Sequence, residues 1–259
     1  SISEHYLPIK HNDKVPIEPV SIVISLSDKI NTLTSFWRIK EKPTGSKDPF
    51  ALRRCAIGLI RILIENKLNI DISKLLFDNL ETDDANDLIK FLEERFRIYL
   101  LEKDFDHYLL NACLQLHQFN NPYLAYLKIY NLKDFQKNKN FKNLIYSYKR
   151  PTNILNSEEK KFSSISFNEP SKEFFEKKEE QLLYEAIIKA EKKVKDSVES
   201  HDFNSALISL SNLDNEIKDF FENVVINVDI PNIKKNRLNL CNKVRELMHS
   251  IAYFGNLNV

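Results

Sequence analysis

Apolar residues return at helical spacing along nearly the whole chain, and the pattern predicts an all-α fold. Between Ser21 and Lys40 the stripe is Ile22, Ile24, Leu26, Ile30, Leu33 and Trp37. A second stripe, Leu52, Ala56, Leu59, Ile60 and Leu63, defines a helix over 49–66 that packs on the first. A turn at Asn69 to Ile72 introduces a helix near 73–80. Asp83 or Asp84 then caps a longer helix to about Leu101, with Leu88, Phe91, Leu92, Phe96 and Tyr99 facing inward. Helical periods continue over 104–150, broken at Asn120, Asn121 and Pro122. The Ser/Asn-rich piece 151–171 is the best loop candidate. Helices over 172–199 and 203–224 follow, with Leu182, Ala186, Ala190 and Val194 on one face and Leu207, Leu210, Ile217 and Phe221 on the other. They are expected to form an antiparallel hairpin, with Asp202 as an N-cap. A last helix over 232–254 buries Leu238, Cys241, Val244, Leu247 and Ile251, while Pro8, Pro16 and Pro19 make the first 20 residues an extended or turn-rich lead.

The segment Ser27 to Arg61 has the densest loop-into-helix grammar. Gly45 permits a positive φ, Asp48 can cap free N–H groups of a following helix, and Pro49 stands where its missing donor costs nothing, so a helix is expected to begin at about residue 49. Arg53, Arg54 and Arg61 fall in a polar sector beside its apolar stripe. Two readings stand for them: a solvated face paired with acidic neighbours, or contact with phosphates.

Composition narrows the class. With 259 residues and 42% apolar content the chain can fill real cores. No window approaches the roughly 18 uninterrupted apolar residues of a membrane span, and no secretory signal opens the sequence, so a cytoplasmic protein is expected. Cys55, Cys113 and Cys241 lie far apart among apolar neighbours and read as buried free thiols. The 38 basic and 37 acidic residues leave a formal charge of +1, so any nucleic-acid surface must come from local clustering. Three glycines offer neither a P-loop nor a dinucleotide fingerprint.

Two clusters qualify. In KNKNFKNLIYSYKR, Lys137, Lys139, Lys142, Lys149 and Arg150 interleave with Phe141, Tyr146 and Tyr148. Unpaired bases could stack on such rings while cations meet phosphates; the competing reading is an amphipathic helix whose aromatics are core. Lys234, Lys235 and Arg237 stand at the start of the last helix, where they oppose the macrodipole and suit a partner's negative charge.

Several of these residues stand in a known order. Pro43 to Arg54 reads Pro-Thr-Gly-Ser-Lys-Asp-Pro-Phe-Ala-Leu-Arg-Arg, preceded by Asp28-Lys29 on a helix and by a Glu-His-Tyr-Leu-Pro element at Glu4 to Pro8. Further on come Lys-Arg-x-x-Asn-Ile-Leu at Lys149 to Leu155, a Phe-Phe-Glu element at Phe220 to Val228, and Asn-Arg-Leu at Asn236 to Leu238. On these residues the chain resembles the beta subunit of bacterial-type glycyl-tRNA synthetase, from Glu4 to Leu257, most weakly over 104–140 and 160–171. The resemblance implies the end of an HD-like helical domain over 1–103, a helical linker over 104–144 and a DALR-like anticodon-binding helical bundle over 145–259. It also makes the chain a C-terminal piece of a longer subunit.

The resemblance further implies a tRNA-recognising part of a glycine-tRNA ligase with no complete active site of its own. Glycine tRNA and an alpha subunit, in an alpha2-beta2 tetramer, are the implied partners; ATP and Mg serve the whole enzyme, and no cofactor is expected in this portion. The residues carried over as tRNA contacts are Lys149, Arg150, Asn153, Lys234, Lys235, Asn236 and Arg237, some of which could instead hold the domain together. Lys47, Arg53 and Arg54 are candidate tRNA or subunit contacts. An HD-type metal phosphohydrolase would use Asp28 with His5, but Asn31 stands where the family commonly has a second acid, and the pair His201-Asp202 falls at a hairpin turn, so no metal or catalytic residues are expected. A helical scaffold that binds only protein is the other alternative, and fits the neutral net charge.

Overall fold

The computed structural model describes residues 4, 6–9, 13–116, 118–161 and 165–257. Among them there are eleven α-helices and no strand, only one isolated bridge between Thr44 and Lys47. The chain divides into two compact units, Ser1–Leu110 with His117–Leu127, and Asn111–Leu116 with Lys128–Val259. The division runs through α5 (His107–Leu114) and α6 (Pro122–Phe135).

In the first unit α1 (Pro19–Arg38), α2 (Leu52–Glu65), α3 (Ile72–Asn79) and α4 (Thr82–Leu101) pack on one another. Leu33, Trp37, Leu59, Ile60, Leu63, Leu88, Leu92 and Phe96 are buried at their centre. The inward face of α1 differs from the expected stripe: Ser21, Ser25 and Lys29 are buried while Ile24 is 41% exposed. Lys29 is accommodated because its ammonium donates to the Tyr6 carbonyl and Ser25 Oγ, each at 3.2 Å. Its stem passes beside Gly58, where a Cβ would stand 2.8 Å from Lys29 Cε.

Gly45 takes a positive φ of 49°, as expected, and Asp48 does cap α2, accepting from the N–H groups of Leu52 and Arg53 at 2.8 and 3.1 Å. The helix nevertheless starts at Leu52, not 49, because Ala51 is left-handed (φ 54°) and Pro49 lies in the preceding turn. On α3 the cap is Asp71. For α4 the expected caps prove wrong: Glu81 occupies the N-cap, and Asp84 lies inside the first turn, accepting from Lys40 and Lys42.

The second unit is built from α7 (Phe141–Lys161), α8 (Lys178–Glu199), α9 (Phe203–Ser211), α10 (Asp214–Asn223) and α11 (Pro231–His249). Residues 151–161, expected in a loop, continue α7 through Pro151. One missing N–H is tolerated there because Pro151, Thr152, Leu155 and Glu158 are buried, and packing against α11 outweighs the local penalty. On α8 the buried face is Leu183, Ile187, Ala190 and Val194, so the expected Leu182 is 52% exposed. The predicted helix over 203–224 is two helices, separated at Asn212 and Leu213, and Asp202 caps the first by accepting from Ser205 N–H at 2.9 Å. The expected stripe is buried, although α11 ends at His249, short of the expected 254, and leaves Ile251 beyond it; Asn236, Arg237, Asn239 and Asn242 are buried too, making this helix central to its unit.

Cys113 and Cys241 are buried and Cys55 half-buried; desolvation pushes all three thiols up to about 12, so they stay protonated at neutral pH. No helix among the described residues is long and apolar enough to cross a membrane.

Candidate nucleic-acid interface

The sequence-predicted contacts separate into two groups. Arg237 is 3% exposed. Its Nε donates to Glu180 Oε1, its Nη2 to Glu176 Oε2 and its Nη1 to the Val225 carbonyl, each at 2.9 Å. Glu180, itself fully buried, also accepts from the N–H groups of Glu176 and Lys177 at 2.9 and 2.8 Å, closing the start of α8. Asn236 pairs both ways with Ser171, accepting from its N–H at 2.8 Å and donating to its carbonyl at 3.0 Å. A guanidinium with three internal acceptors has no face to offer a phosphate. Arg237 and Asn236 therefore hold α11 to the chain around 171–180 and 225, and their expected role as tRNA contacts is corrected on burial. Arg61 is likewise not in an exposed sector: it is 8% exposed, bonded to Glu65 and the Asp13 carbonyl.

The other group faces solvent. Arg150 is exposed on α7; its Nη2 donates to the Phe221 carbonyl at 3.0 Å and its guanidinium lies over the Phe221 ring, 4.6 Å from the centroid. That cation–π contact and the one hydrogen bond hold the group while leaving further donors available. Tyr146, one turn earlier, is 63% exposed, and Lys142 and Asn153 are exposed as well. Offsets of four, eight and eleven residues from Lys142 place Tyr146, Arg150 and Asn153 within one sector of α7. Of the interleaved aromatics, Phe141 and Tyr148 are core, the latter bonded through its Oη to His249 Nε2 at 2.8 Å. Within this segment, then, Phe141 and Tyr148 fill the core while Lys142, Tyr146 and Arg150 face solvent. Lys149 is half-buried and donates to the Leu257 carbonyl at 2.9 Å.

Lys234 pairs with the buried Glu158 at 2.8 Å, while Lys235 is exposed and forms no ion pair among the described residues. In the first unit Lys47 and Arg54 are exposed and Arg53 donates to the Gly45 carbonyl. Asp28 and Asn31 are exposed, His5 lies outside the described residues, and these hold no group of three or more His, Cys, Asp or Glu able to bind a metal. Sequence reasoning missed three participants: Phe221, which it assigned to the core, and the acids Glu176 and Glu180, whose partner lies 57 or more positions away. Only Phe221 had a local signal, its place beside the buried Phe220.

The second unit is thus an α-helical domain that ties its buried charges internally and turns an arginine, a tyrosine and an amide outward along one helix. Comparison with known proteins makes this specific. A family profile described as glycyl-tRNA synthetase beta subunit matches residues 1–115, and one described as DALR anticodon binding domain matches residues 144–254. The glycine–tRNA ligase beta subunit of Ruegeria sp. (strain TM1040) is 37% identical over 249 residues, covering 96% of this chain and 36% of that protein. That of Paracoccus denitrificans (strain Pd 1222) is 38% identical over 255 residues, covering 98% and 37%. The chain belongs to the glycyl-tRNA synthetase beta subunit family and carries that family's DALR-type domain; it spans little more than a third of the length of these relatives.

Proposed function

We propose that this chain is the tRNA-gripping part of a cytoplasmic glycine–tRNA ligase, contributing recognition on the anticodon side and no complete active site. The observation that carries the reading is the outward ridge of α7, where Arg150 lies over the Phe221 ring with Tyr146 and Asn153 in the same sector. Cations there meet phosphates, and an exposed ring offers a platform for an unpaired base. Lys235 is exposed on the same unit, and Lys149, half-buried there, donates to the Leu257 carbonyl. In the whole enzyme an alpha subunit would supply the chemistry that joins glycine to tRNA with ATP and Mg, in an alpha2-beta2 assembly.

The first unit supports a different use. Val20, Val23 and Ile24 are 62%, 62% and 41% exposed at offsets of three and four, an apolar face on α1 suited to protein contact, and Ile17, just before the helix, is 73% exposed. Lys47, Arg53 and Arg54 remain candidates for subunit or tRNA contact.

Titration of labelled glycine tRNA into the chain at several salt concentrations tests the reading. Binding that falls linearly on a log–log plot with salt supports it; absence of binding at about 50 mM salt contradicts it.

A further inference from the structure

A pocket of about 360 Å³ lies between the end of α7, the segment 165–167 and the start of α11. Ile165, Phe167, Pro231 and Leu238 give it an apolar lining, and Lys234 and Lys235 border it. Glu158 also lines it: this carboxylate is 2% exposed, accepts from Lys161 at 2.7 Å through Oε1 and from Lys234 at 2.8 Å through Oε2, and so stays ionised. Two of its roughly four lone-pair sites are thereby taken, leaving acceptor capacity. Phe167 is steadied by Arg245, whose guanidinium lies 5.5 Å from the ring centroid.

An apolar slot with one anionic acceptor and an exposed lysine at its border matches a nucleotide: a flat ring inside, an N–H edge toward the carboxylate, and a phosphate toward Lys235. We propose that this pocket takes one unpaired base of an RNA loop and that Glu158 selects bases carrying an amino group over uracil; the proposal rests on the tRNA-binding reading above. The selectivity follows from edge chemistry. Cytosine, adenine and guanine each present an amino donor, and carboxylates accept from it. Uracil turns two carbonyl oxygens outward on either side of its one N–H, and both are repelled by a carboxylate. The pocket is separate from the α7 ridge, since none of Tyr146, Arg150 or Asn153 lines it.

The test uses the full chain and the labelled anticodon stem–loop of a glycine tRNA, with each loop position in turn made abasic, and, at any position that responds, the amino base exchanged for uracil. Binding is compared for the wild-type chain, for Ser166→Trp, which places an indole in the pocket from an exposed lining residue, and for Glu158→Gln, which keeps the shape and removes the charge. The expected result is one position at which base loss weakens wild-type binding about tenfold, with that sensitivity gone in Ser166→Trp. At the same position uracil should discriminate in the wild type and not in Glu158→Gln, with thermal melts confirming that both variants fold. If the wild type binds the stem–loop and no abasic position depends on Ser166→Trp, the pocket is empty in the complex and the proposal fails while the tRNA reading stands. If the wild type binds no stem–loop at all, both fail. If base loss responds but uracil and cytosine remain equivalent in the wild type, the selectivity assigned to Glu158 is overturned.

Discussion

Arg237 Nε donates to Glu180 Oε1 at 2.9 Å between two side chains of which neither exceeds 3% exposure. Removing the arginine strands a buried carboxylate, at a cost of about 3–5 kcal/mol. Arg237→Ala should therefore lower the midpoint of denaturant unfolding sharply. A surface contact to RNA would instead lose affinity and leave the midpoint unchanged, so melts of this one variant separate a structural from a recognition role.

Gly58 sits against the stem of buried Lys29, with a notional Cβ 2.8 Å from Lys29 Cε and 3.3 Å from the Pro8 carbonyl. The lysine cannot swing away without leaving the Tyr6 carbonyl and Ser25 Oγ. Gly58→Ala should destabilise the chain by about 1–3 kcal/mol, and the cost should shrink in a Lys29→Ala background. Chemical denaturation of the four proteins of that cycle measures it; equal costs in both backgrounds would place the strain elsewhere.

Hydrogen bonds from Lys161 and then Lys234 hold the Glu158 carboxyl below the usual range. Because the folded-state value is lowered, its stabilising contribution is present above the unfolded value, about 4.3, and is lost as pH falls through the folded one. The melting-temperature difference between wild type and Glu158→Gln should accordingly be constant near neutrality and narrow below about pH 4. A difference that instead widened in acid would mean the lysines do not stabilise this carboxylate.

The helices could be read in the sequence because their apolar stripes are long; their registers could be read only where the stripe is unambiguous. On α8 the doublet Leu182-Leu183 and the run Ala186-Ile187-Ile188 fit two adjacent faces equally well, and packing against α9, α10 and α11 chose Leu183 and Ile187. Pro151 marks a helix end in local grammar, but burial of its neighbours carried α7 onward. The same limit governs the site. Arg150, Arg237 and Asn236 look alike in sequence, each polar and near a motif. Only the fold shows that Glu176 and Glu180 claim Arg237 and Ser171 claims Asn236, whereas Phe221 leaves Arg150 facing solvent. Asp48 shows the converse: its cap was legible because capping is local, yet left-handed Ala51 moved the helix start.

The proposed role of the second unit is to read tRNA through the α7 ridge. Fluorescence anisotropy of the full chain with glycine tRNA and with an anticodon-swapped variant, at about 150 mM salt, for wild type, Arg150→Ala and Tyr146→Ala, tests it most directly. Preference for the native anticodon is expected. Arg150→Ala should show a salt slope smaller by about one and Tyr146→Ala a loss of about 1–3 kcal/mol, with melting temperatures near wild type. Equal binding of both tRNAs, or variants that bind as the wild type does, would contradict it.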